Sequence, residues 1–461
     1  MKRLLTLLFA VLIAVASVTV ANAHPHAKKS AVKHSHSTAK AAPLYAAAST
    51  PLVEEPVLAS SAETSVTPVA ETPPKTDDEI VGYDGGFFIR NSDKSFVLMI
   101  NGRMQPQAYF QKTTGSDSTW TFGIRRARLD FDATMWTNTS FHVTLNHSTK
   151  SAAFSTVNVF NLAVAHVFAP EFSVSVGQVG LPLDILQSRT SNGYQLPEAP
   201  NIISQIDGSA AQSTPLRSSF GAPSGIGVSL EGKFFKKLYY RLSAVNGAAQ
   251  ATNTVTGGVV SNPSGGEESD YTLNFDKKVS VGARLAYDIF ENTGSFENDM
   301  PYSEKAKWIV SMGGIYQGKR QDPNFAVMPT INYLVTGSVG SSFKYRGFAV
   351  TAEAYARKTK IGNPGSATFY SNTLDDAAYY VDGGYFVIPN KLEIAARGSQ
   401  LFREGPTNNS YEIDGSINWF PRGTPNLKLM AAYTMQKFYV NQTNAPTARN
   451  QAFTLFLATF F

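Results

Sequence analysis

The stretch Phe122–Met135 reads FGIRRARLDFDATM, and it limits the folds that this chain can adopt. From Arg126 to Met135, polar and apolar residues alternate one by one. Successive side chains of a β-strand point to opposite faces, so the pattern predicts a strand with one ionic face and one apolar face. Such a strand suits either a soluble sandwich, whose ionic face meets water, or a membrane barrel, whose apolar face meets lipid.

The N-terminus has the pattern of a secretory signal peptide, predicted over residues 1–23. A positive start, Met1–Arg3, precedes an apolar run, Leu4–Val20, and the small residues Ala21-Asn22-Ala23 form a cleavage site. We therefore expect the mature chain to begin at His24, with a retained membrane anchor as the alternative.

Residues 24–79 are rich in Ala, Pro and Thr and almost free of aromatic residues. Such a composition cannot bury enough apolar surface to fold, so the segment is predicted to be a disordered periplasmic tether. Four of its residues are histidines, namely His24, His26, His34 and His36. A metal-catching arm and a solvated tail both remain open, as does a structural role in which the tether links the membrane to the cell wall.

Composition excludes several functions. The 461 residues include no Cys, which rules out disulfides and a cysteine nucleophile, and the net charge of +5 is too small to indicate nucleic-acid binding. Charged residues make up 16%, below the roughly 25% of soluble domains. After the N-terminal run, no apolar stretch reaches the ~18 residues of a membrane-spanning helix. No nucleotide-binding glycine loop or convincing metal cluster appears, so we infer no cofactor, and any membrane-embedded part must consist of strands.

Residues 80–461 contain about sixteen segments of suitable length for tilted strands that cross a bilayer. They lie near 96–110, 121–135, 140–146, 157–168, 172–179, 225–231, 238–246, 281–290, 307–316, 331–343, 348–357, 377–387, 392–401, 411–418, 426–436 and 452–461. Connections after odd-numbered segments are mostly long and those after even-numbered segments mostly short, which is typical of external loops and periplasmic turns. Residues 291–306 break this rule. The sequence thus predicts an all-β fold, a transmembrane antiparallel β-barrel of about sixteen strands.

The last segment, QAFTLFLATFF, is amphipathic and ends on Phe461. A terminal aromatic residue on such a strand resembles the signal that barrel-assembly machinery reads in outer-membrane proteins. We therefore expect outer-membrane lipid and this machinery as partners, and the bacterial outer membrane as the location.

Strand parity assigns charged residues to the lumen. The predicted pore-lining and anion-binding arginines are Arg103, Arg126, Arg128, Arg241, Arg284, Arg357 and Arg397. The carboxylates with the same facing are Asp130, Asp132, Glu231, Asp288, Glu353, Asp382, Glu393, Glu412 and Asp414. Charge of this density favours a water-filled pore, and guanidinium groups match the oxygens of phosphate or carboxylate. Alternatively, the arginines only pair with these carboxylates.

The connection from Leu181 to Ser224 follows the fifth predicted strand, and a loop this long in a compact domain is usually functional or disordered. We expect it to fold into the barrel as a constriction loop. Apolar residues such as Ile202 give it a reason to pack inward. Its charged residues include Arg189, Arg217, Asp184 and Asp207.

The segments FGIRRARLDFDATMW and FSVSVGQVGLPLDILQSRTSNGYQLPEAP resemble the phosphate-selective porins of the O and P type. The resemblance covers residues 80–461 and is strongest over 87–205. It implies a sixteen-stranded outer-membrane porin, commonly a homotrimer, that passes small anions such as phosphate. Gly180 and Leu181 stand where the family usually has a basic residue, so phosphate specificity does not follow from the resemblance.

Two other functions compete with an anion porin. A general-diffusion or sugar-type channel suits the mixed lumen charge, and Tyr240 and Tyr316 are candidates for aromatic residues along a sugar path. An enzymatic barrel has weak support, since His142, Thr144 and Asn146 share a strand face but are expected to lie too far apart for hydrogen-bonded catalysis. We predict that the protein is not an enzyme.

Overall fold

The computed structural model describes residues 80–136, 138–147, 157–189, 193–200, 202, 220, 224–246, 279–318, 331–362, 372–402, 404, 408–440 and 449–461. The predicted signal peptide, the tether with its histidines, Arg217 and Asp207 lie outside these residues. Among the described residues, no helix is both long and apolar enough to cross a membrane.

The described part of the chain forms one continuous antiparallel sheet of eighteen strands. They are β1 Val81–Tyr83, β2 Phe87–Arg90, β3 Phe96–Thr113, β4 Thr119–Met135, β5 Thr139–His147, β6 Val157–Ala169, β7 Phe172–Gly180, β8 Ser224–Phe234, β9 Leu238–Asn246, β10 Val279–Asp288, β11 Lys307–Gln317, β12 Ile331–Tyr345, β13 Phe348–Ile361, β14 Thr373–Ile388, β15 Leu392–Phe402, β16 Asn408–Trp419, β17 Leu427–Val440 and β18 Arg449–Phe460. Each strand from β3 to β18 pairs with the next, and β18 pairs with β3. The predicted sixteen-stranded closed barrel is confirmed, and every predicted segment coincides with one strand.

A short N-terminal hairpin, β1–β2, was not predicted. β2 pairs with Val97–Ile100 of β3, just below the part of β3 that pairs with β18. Gly102 of β3 lies between the segment that pairs with β2 and the segment that pairs with β18. Its backbone N–H and carbonyl each form a hydrogen bond with Phe461 at 3.0 Å. The Phe461 ring occupies the space that a Cβ at Gly102 would need. The hairpin therefore continues the barrel wall where the last strand stops.

The two ends of the barrel differ. Short connections, such as those at Pro170-Glu171 and Arg346-Gly347, lie at the same end as Phe461, which we call the turn end; the long connections lie at the opposite loop end. Exposed aromatic residues gather at the turn end, among them Trp136, Phe168, Phe235, Trp419 and Phe461. The outward faces carry exposed Val, Ile and Leu between the ends. An apolar band with an aromatic girdle is typical of strands that contact lipid.

A β-bulge interrupts the alternation in the opening stretch. Gln105 of β3 lies opposite Arg126 of β4, but Pro106 lies opposite Ile124, so Arg125 is the extra residue of the bulge. Proline has no N–H for the ladder, so strands accommodate it at bulges. The extra residue turns the Arg125 side chain inward together with Arg126, and both are buried.

Two connections enter the barrel interior. The constriction loop leaves β7 at Gly180 and contains a short 3-10 helix, Leu186–Ser188. Residues 289–306, which join β10 to β11 at the turn end, also contain fully buried positions such as Asp299 and Glu297. We call them the re-entrant connection. Residues 291–306 were the exception to the predicted alternation of loop lengths, and the reason is that they fold inward.

Candidate functional site

The structure places all seven predicted arginines on the interior face of the strands. Their environments differ from one side of the barrel to the other. Their role in anion binding stays a prediction. The question is which of them a solute can reach.

On β13–β16 two interior arginines form buried ion pairs with carboxylates. The Arg397 guanidinium contacts Asp382 through two hydrogen bonds, Nε to Oδ1 at 2.6 Å and Nη2 to Oδ2 at 3.0 Å. Arg357 donates from Nη2 to Asp376 Oδ2 at 2.7 Å. The side chains of these four residues are no more than 2% exposed. Arg357 and Arg397 therefore fit the alternative in which interior arginines pair with carboxylates.

The same side of the barrel holds the backbone of the constriction loop. Glu353 accepts a hydrogen bond from the Ile185 N–H at 2.6 Å, and Lys428 Nζ donates to the Tyr194 carbonyl at 2.7 Å. The Gln195 carbonyl accepts from Asn418 Nδ2 at 2.8 Å. We call the interior face of β11–β17 the anchoring wall, because its polar groups replace water for the peptide groups of an inserted segment.

Interior glycines give the loop room to approach the anchoring wall. A Cβ at Gly313 would lie 2.0 Å from the Leu183 carbonyl oxygen, and a Cβ at Gly384 would lie 2.1 Å from Gln195 Nε2. Any larger residue at Gly313 would have to displace backbone. Glycines on the interior parity of a strand are the sequence signal that indicates such an approach.

Arg125 and Arg126 hold the constriction loop at Glu198. Both guanidiniums contact the Glu198 carboxylate, Arg125 from Nε and from Nη2 at 2.8 Å and Arg126 from Nη2 at 3.1 Å. Arg126 also donates from Nη1 to Gln105 at 2.9 Å. Arg397 Nη1 reaches the backbone carbonyl of the same Glu198 at 2.8 Å. Sequence parity missed Arg125, although Pro106 on the neighbouring strand was a usable signal for a bulge.

Asp184 and Arg189, two of the predicted charged residues of the constriction loop, serve internal contacts. Arg189 donates from Nη2 to Ser342 Oγ at 2.6 Å, and it is buried. Asp184 accepts from the Gln187 N–H at 2.9 Å and from the Tyr355 hydroxyl at 3.1 Å. Burial raises the pKa of the Asp184 carboxyl above its ordinary value. Within the described residues, Asp184 and Arg189 thus position the loop rather than face a solute.

Several charged groups on β3 and β4 retain access to solvent, although Arg125, Arg126 and Arg128 of β4 are buried. The Arg103 and Asp130 side chains are 13% and 17% exposed, and Asp132 reaches 39%. On β8 and β9, Glu231 and Arg241 are also partly exposed, with an ion pair of 3.6 Å. We call the interior face of β3–β5 and β8–β10 the accessible wall. It carries both signs of charge.

At two places on the accessible wall, one arginine lies directly opposite another arginine on the neighbouring strand. Arg103 opposes Arg128, and Arg241 opposes Arg284. Arg241 and Arg284 each donate from Nε to a serine hydroxyl, Ser229 at 3.0 Å and Ser311 at 2.8 Å. Like charges directly opposite in a sheet are destabilising, and each pair has a carboxylate beside it, Asp130 at 3.9 Å from Arg103 and Glu231 at 3.6 Å from Arg241.

The expectation that His142 and Thr144 lie too far apart is wrong. His142 Nε2 lies 2.9 Å from Thr144 Oγ1, and its Nδ1 contacts Asp132. Residues two apart on a strand share a face, and these side chains lean toward each other. The Thr144 hydroxyl is buried and donates to Asp130 at 2.6 Å, so the group forms a polar network within the wall.

The aromatic candidates for a sugar path do not face the lumen. Tyr316 is exposed on the outer surface beside Val281 and Val335. Tyr240 packs against Phe234, and its hydroxyl donates to the Glu171 carbonyl at the turn end. Across the described residues, no group of three or more potential ligands forms a metal site.

Solved structures with similar folds include outer-membrane proteins. The outer membrane channel DcaP of Acinetobacter baumannii superposes with a TM-score of 0.51 at 10% identity, over 81% of this chain and 99% of DcaP. Salmonella typhi OmpF in complex with daunomycin has a TM-score of 0.47 at 13% identity, over 83% and 100%. OmpT of Vibrio cholerae gives 0.45 at 12%, over 83% and 100%. At such low identity the likeness shows the fold alone. A comparison with curated protein sequences gives no match.

The closed barrel with a charged interior defines an outer-membrane porin channel. Residues 339–457 match the family model of the phosphate-selective porins O and P, so the resemblance predicted from the sequence is confirmed. The matched region is the last third of the barrel, whereas the sequence had shown the resemblance most strongly over 87–205. The protein lies in the bacterial outer membrane. Its short connections therefore mark the periplasmic side.

Proposed function

We propose that this porin allows passive diffusion of small hydrophilic solutes and prefers anions, phosphate among them. The observation that carries the proposal is the arginine register on the accessible wall, where Arg103 opposes Arg128 and Arg241 opposes Arg284. A guanidinium offers forked donors to the oxygens of an anion. Several such groups along one wall permit transfer from site to site, as conduction requires.

The buried ion pairs contribute little to this preference. Arg357 and Arg397 are neutralised by Asp376 and Asp382 and are covered by the constriction loop. Selectivity therefore depends on the arginines of the accessible wall. Variants of the accessible-wall arginines compared with variants of Arg357 and Arg397 therefore test the proposal more sharply than removal of all seven arginines.

The test measures the reversal potential of purified channels in planar bilayers under a salt gradient. In the wild type we expect a potential of the sign for anion preference. The Arg241→Ala/Arg284→Ala variant should move the potential toward the cation side, and phosphate added to wild-type channels in chloride should reduce the current. An unchanged potential in the double variant, with folded channels, would overturn the proposed role of these arginines.

A general-diffusion channel is the second candidate, and one observation favours it. The accessible wall also exposes Asp130, Asp132 and Glu231, which oppose a purely positive path. A wild-type reversal potential near zero, with no block by phosphate, would select this alternative.

We further propose a homotrimer, on the basis of the family resemblance. The match to the porin O and P model supports it. The size of the detergent-extracted protein before and after heating tests the number of subunits, and a monomer under all mild conditions would contradict it.

A further inference from the structure

The constriction loop contacts the re-entrant connection at Gly193 and Gln195. The Glu297 N–H donates to the Gly193 carbonyl at 2.9 Å, and the Gln195 N–H donates to Glu297 Oε2 at 2.7 Å. Arg189 adds a hydrogen bond to the Phe296 carbonyl at 3.3 Å. A segment that enters from the loop end is thus joined to one that enters from the turn end.

The joint depends on close backbone approach. A Cβ at Gly193 would lie 2.8 Å from the Phe296 Cα and 3.1 Å from the Ser295 carbonyl oxygen. Only glycine fits at this distance without a backbone shift. The sequence therefore provides the one residue that lets the two segments meet.

The re-entrant connection is itself fixed to the barrel. Lys344 Nζ donates to the carbonyls of Thr293 and Phe296. Asp299 accepts from the Gly347 N–H at 2.8 Å, at the turn between β12 and β13. The connection therefore offers the constriction loop a rigid support.

We propose that the re-entrant connection sets the position of the constriction loop, with Glu297 as the positioning residue at the joint. The inference rests on channel function but not on anion preference. Glu297 touches the loop through both its backbone and its carboxylate, and it is buried. If the joint opens, the loop loses its support from the periplasmic side at Gly193 and Gln195, and the width of the solute path changes.

The test is single-channel recording in planar bilayers with Gly193→Ala and Glu297→Ala, which open the joint from its two sides. Both should raise the conductance or add frequent current steps that wild-type channels lack. Lys344→Met, which releases the re-entrant connection from β12, should act in the same direction. Glu291→Gln is the matched control, because this exposed carboxylate lies on the same connection but outside the joint.

Heat-dependent electrophoretic mobility shows which variants form closed barrels. If Gly193→Ala does not fold, Glu297→Ala and Lys344→Met still decide the question. Folded variants with wild-type conductance and noise would overturn the inference while the channel function stands. A wild-type protein that forms no channels would instead refute the channel function.

Discussion

The anchoring wall and the accessible wall carry similar charged residues but use them differently. On the anchoring wall, Arg397 and Asp382 are 1% exposed and help to hold an inserted loop. On the accessible wall, Arg103 and Asp130 lie 3.9 Å apart and remain partly in contact with solvent. The difference shows that an interior arginine is not by itself a pore residue. What decides its role is whether a segment of the chain covers it.

The largest expected effect concerns the buried pairs. Arg397→Ala leaves Asp382 in the protein interior without its main partner and removes a donor to the Glu198 carbonyl. Loss of one member of a buried ion pair costs about 3–5 kcal/mol. We expect a loss of this size in the free energy of unfolding, measured by denaturant titration of the folded barrel in detergent.

The matched control for this prediction is the double variant Arg397→Met/Asp382→Leu, which removes both charges. It should be more stable than Arg397→Ala, because Asp382 is no longer left as a buried charge without Arg397, while the loss of the 3.6 Å contact between Arg397 and Asp414 is common to both variants. If Arg397→Ala unfolds at the wild-type denaturant concentration, water reaches Asp382 and the distinction between the walls fails.

The next effect concerns the contact that joins the walls. Glu198 receives hydrogen bonds from Arg125 and Arg126, and hydrogen bonds to charged groups contribute about 1.5–3 kcal/mol. Glu198→Gln should weaken this contact and remove a negative charge beside two guanidiniums. We expect a lower free energy of unfolding and a reversal potential shifted toward greater anion preference.

The Glu304→Gln variant provides the control for Glu198, because it changes an equal charge at an exposed turn-end position. It should leave both quantities unchanged. A Glu198→Gln reversal potential equal to that of the wild type would show that the pair of arginines does not face the ion path.

Sequence patterns predicted the barrel but not the division into walls. Alternation over segments such as 238–246 located all sixteen strands, since each strand's facing is a local property. The inward facing of Arg125 depends on a bulge opposite Pro106, which shifts the parity by one residue. The cover over Arg397 depends on Glu198, almost 200 residues away in sequence. Such contacts depend on how distant strands and loops come together in the closed barrel, and no local sequence pattern carries that information.

A pH effect should arise at the joint. Burial raises the pKa of Glu297 to about 7, the Asp382 carboxylate adds to the shift, and Arg189 and Arg397 oppose it. Lys344 and Lys428 also interact with this carboxylate. In the unfolded chain the group ionises near 4.5, so between pH 4.5 and 7 the folded protein holds a proton that the unfolded chain has lost. Stability should therefore fall as the pH rises through this window and level off above it.

Melting temperatures measured between pH 4 and about pH 8 check this prediction, since the window is set by linkage. Glu297→Gln cannot ionise, so its melting temperature should fall less than that of the wild type over the same range. Asp184, whose pKa burial also raises, accounts for part of any remaining slope. Parallel curves for the two proteins would show that Glu297 does not titrate in this window.

The smallest effect belongs to the accessible wall. Arg103 contacts Asp130 at 3.9 Å, and both side chains keep some access to solvent. At 3.9 Å and with partial solvation the pair is weak, so Arg103→Ala should lower the free energy of unfolding by about 1 kcal/mol, the upper end for exposed pairs. The same variant should still shift the reversal potential, because it removes a positive charge that solutes can reach. A stability loss equal to that of Arg397→Ala would mean that Arg103 is also a structural anchor. The accessible wall would then not include this part of β3.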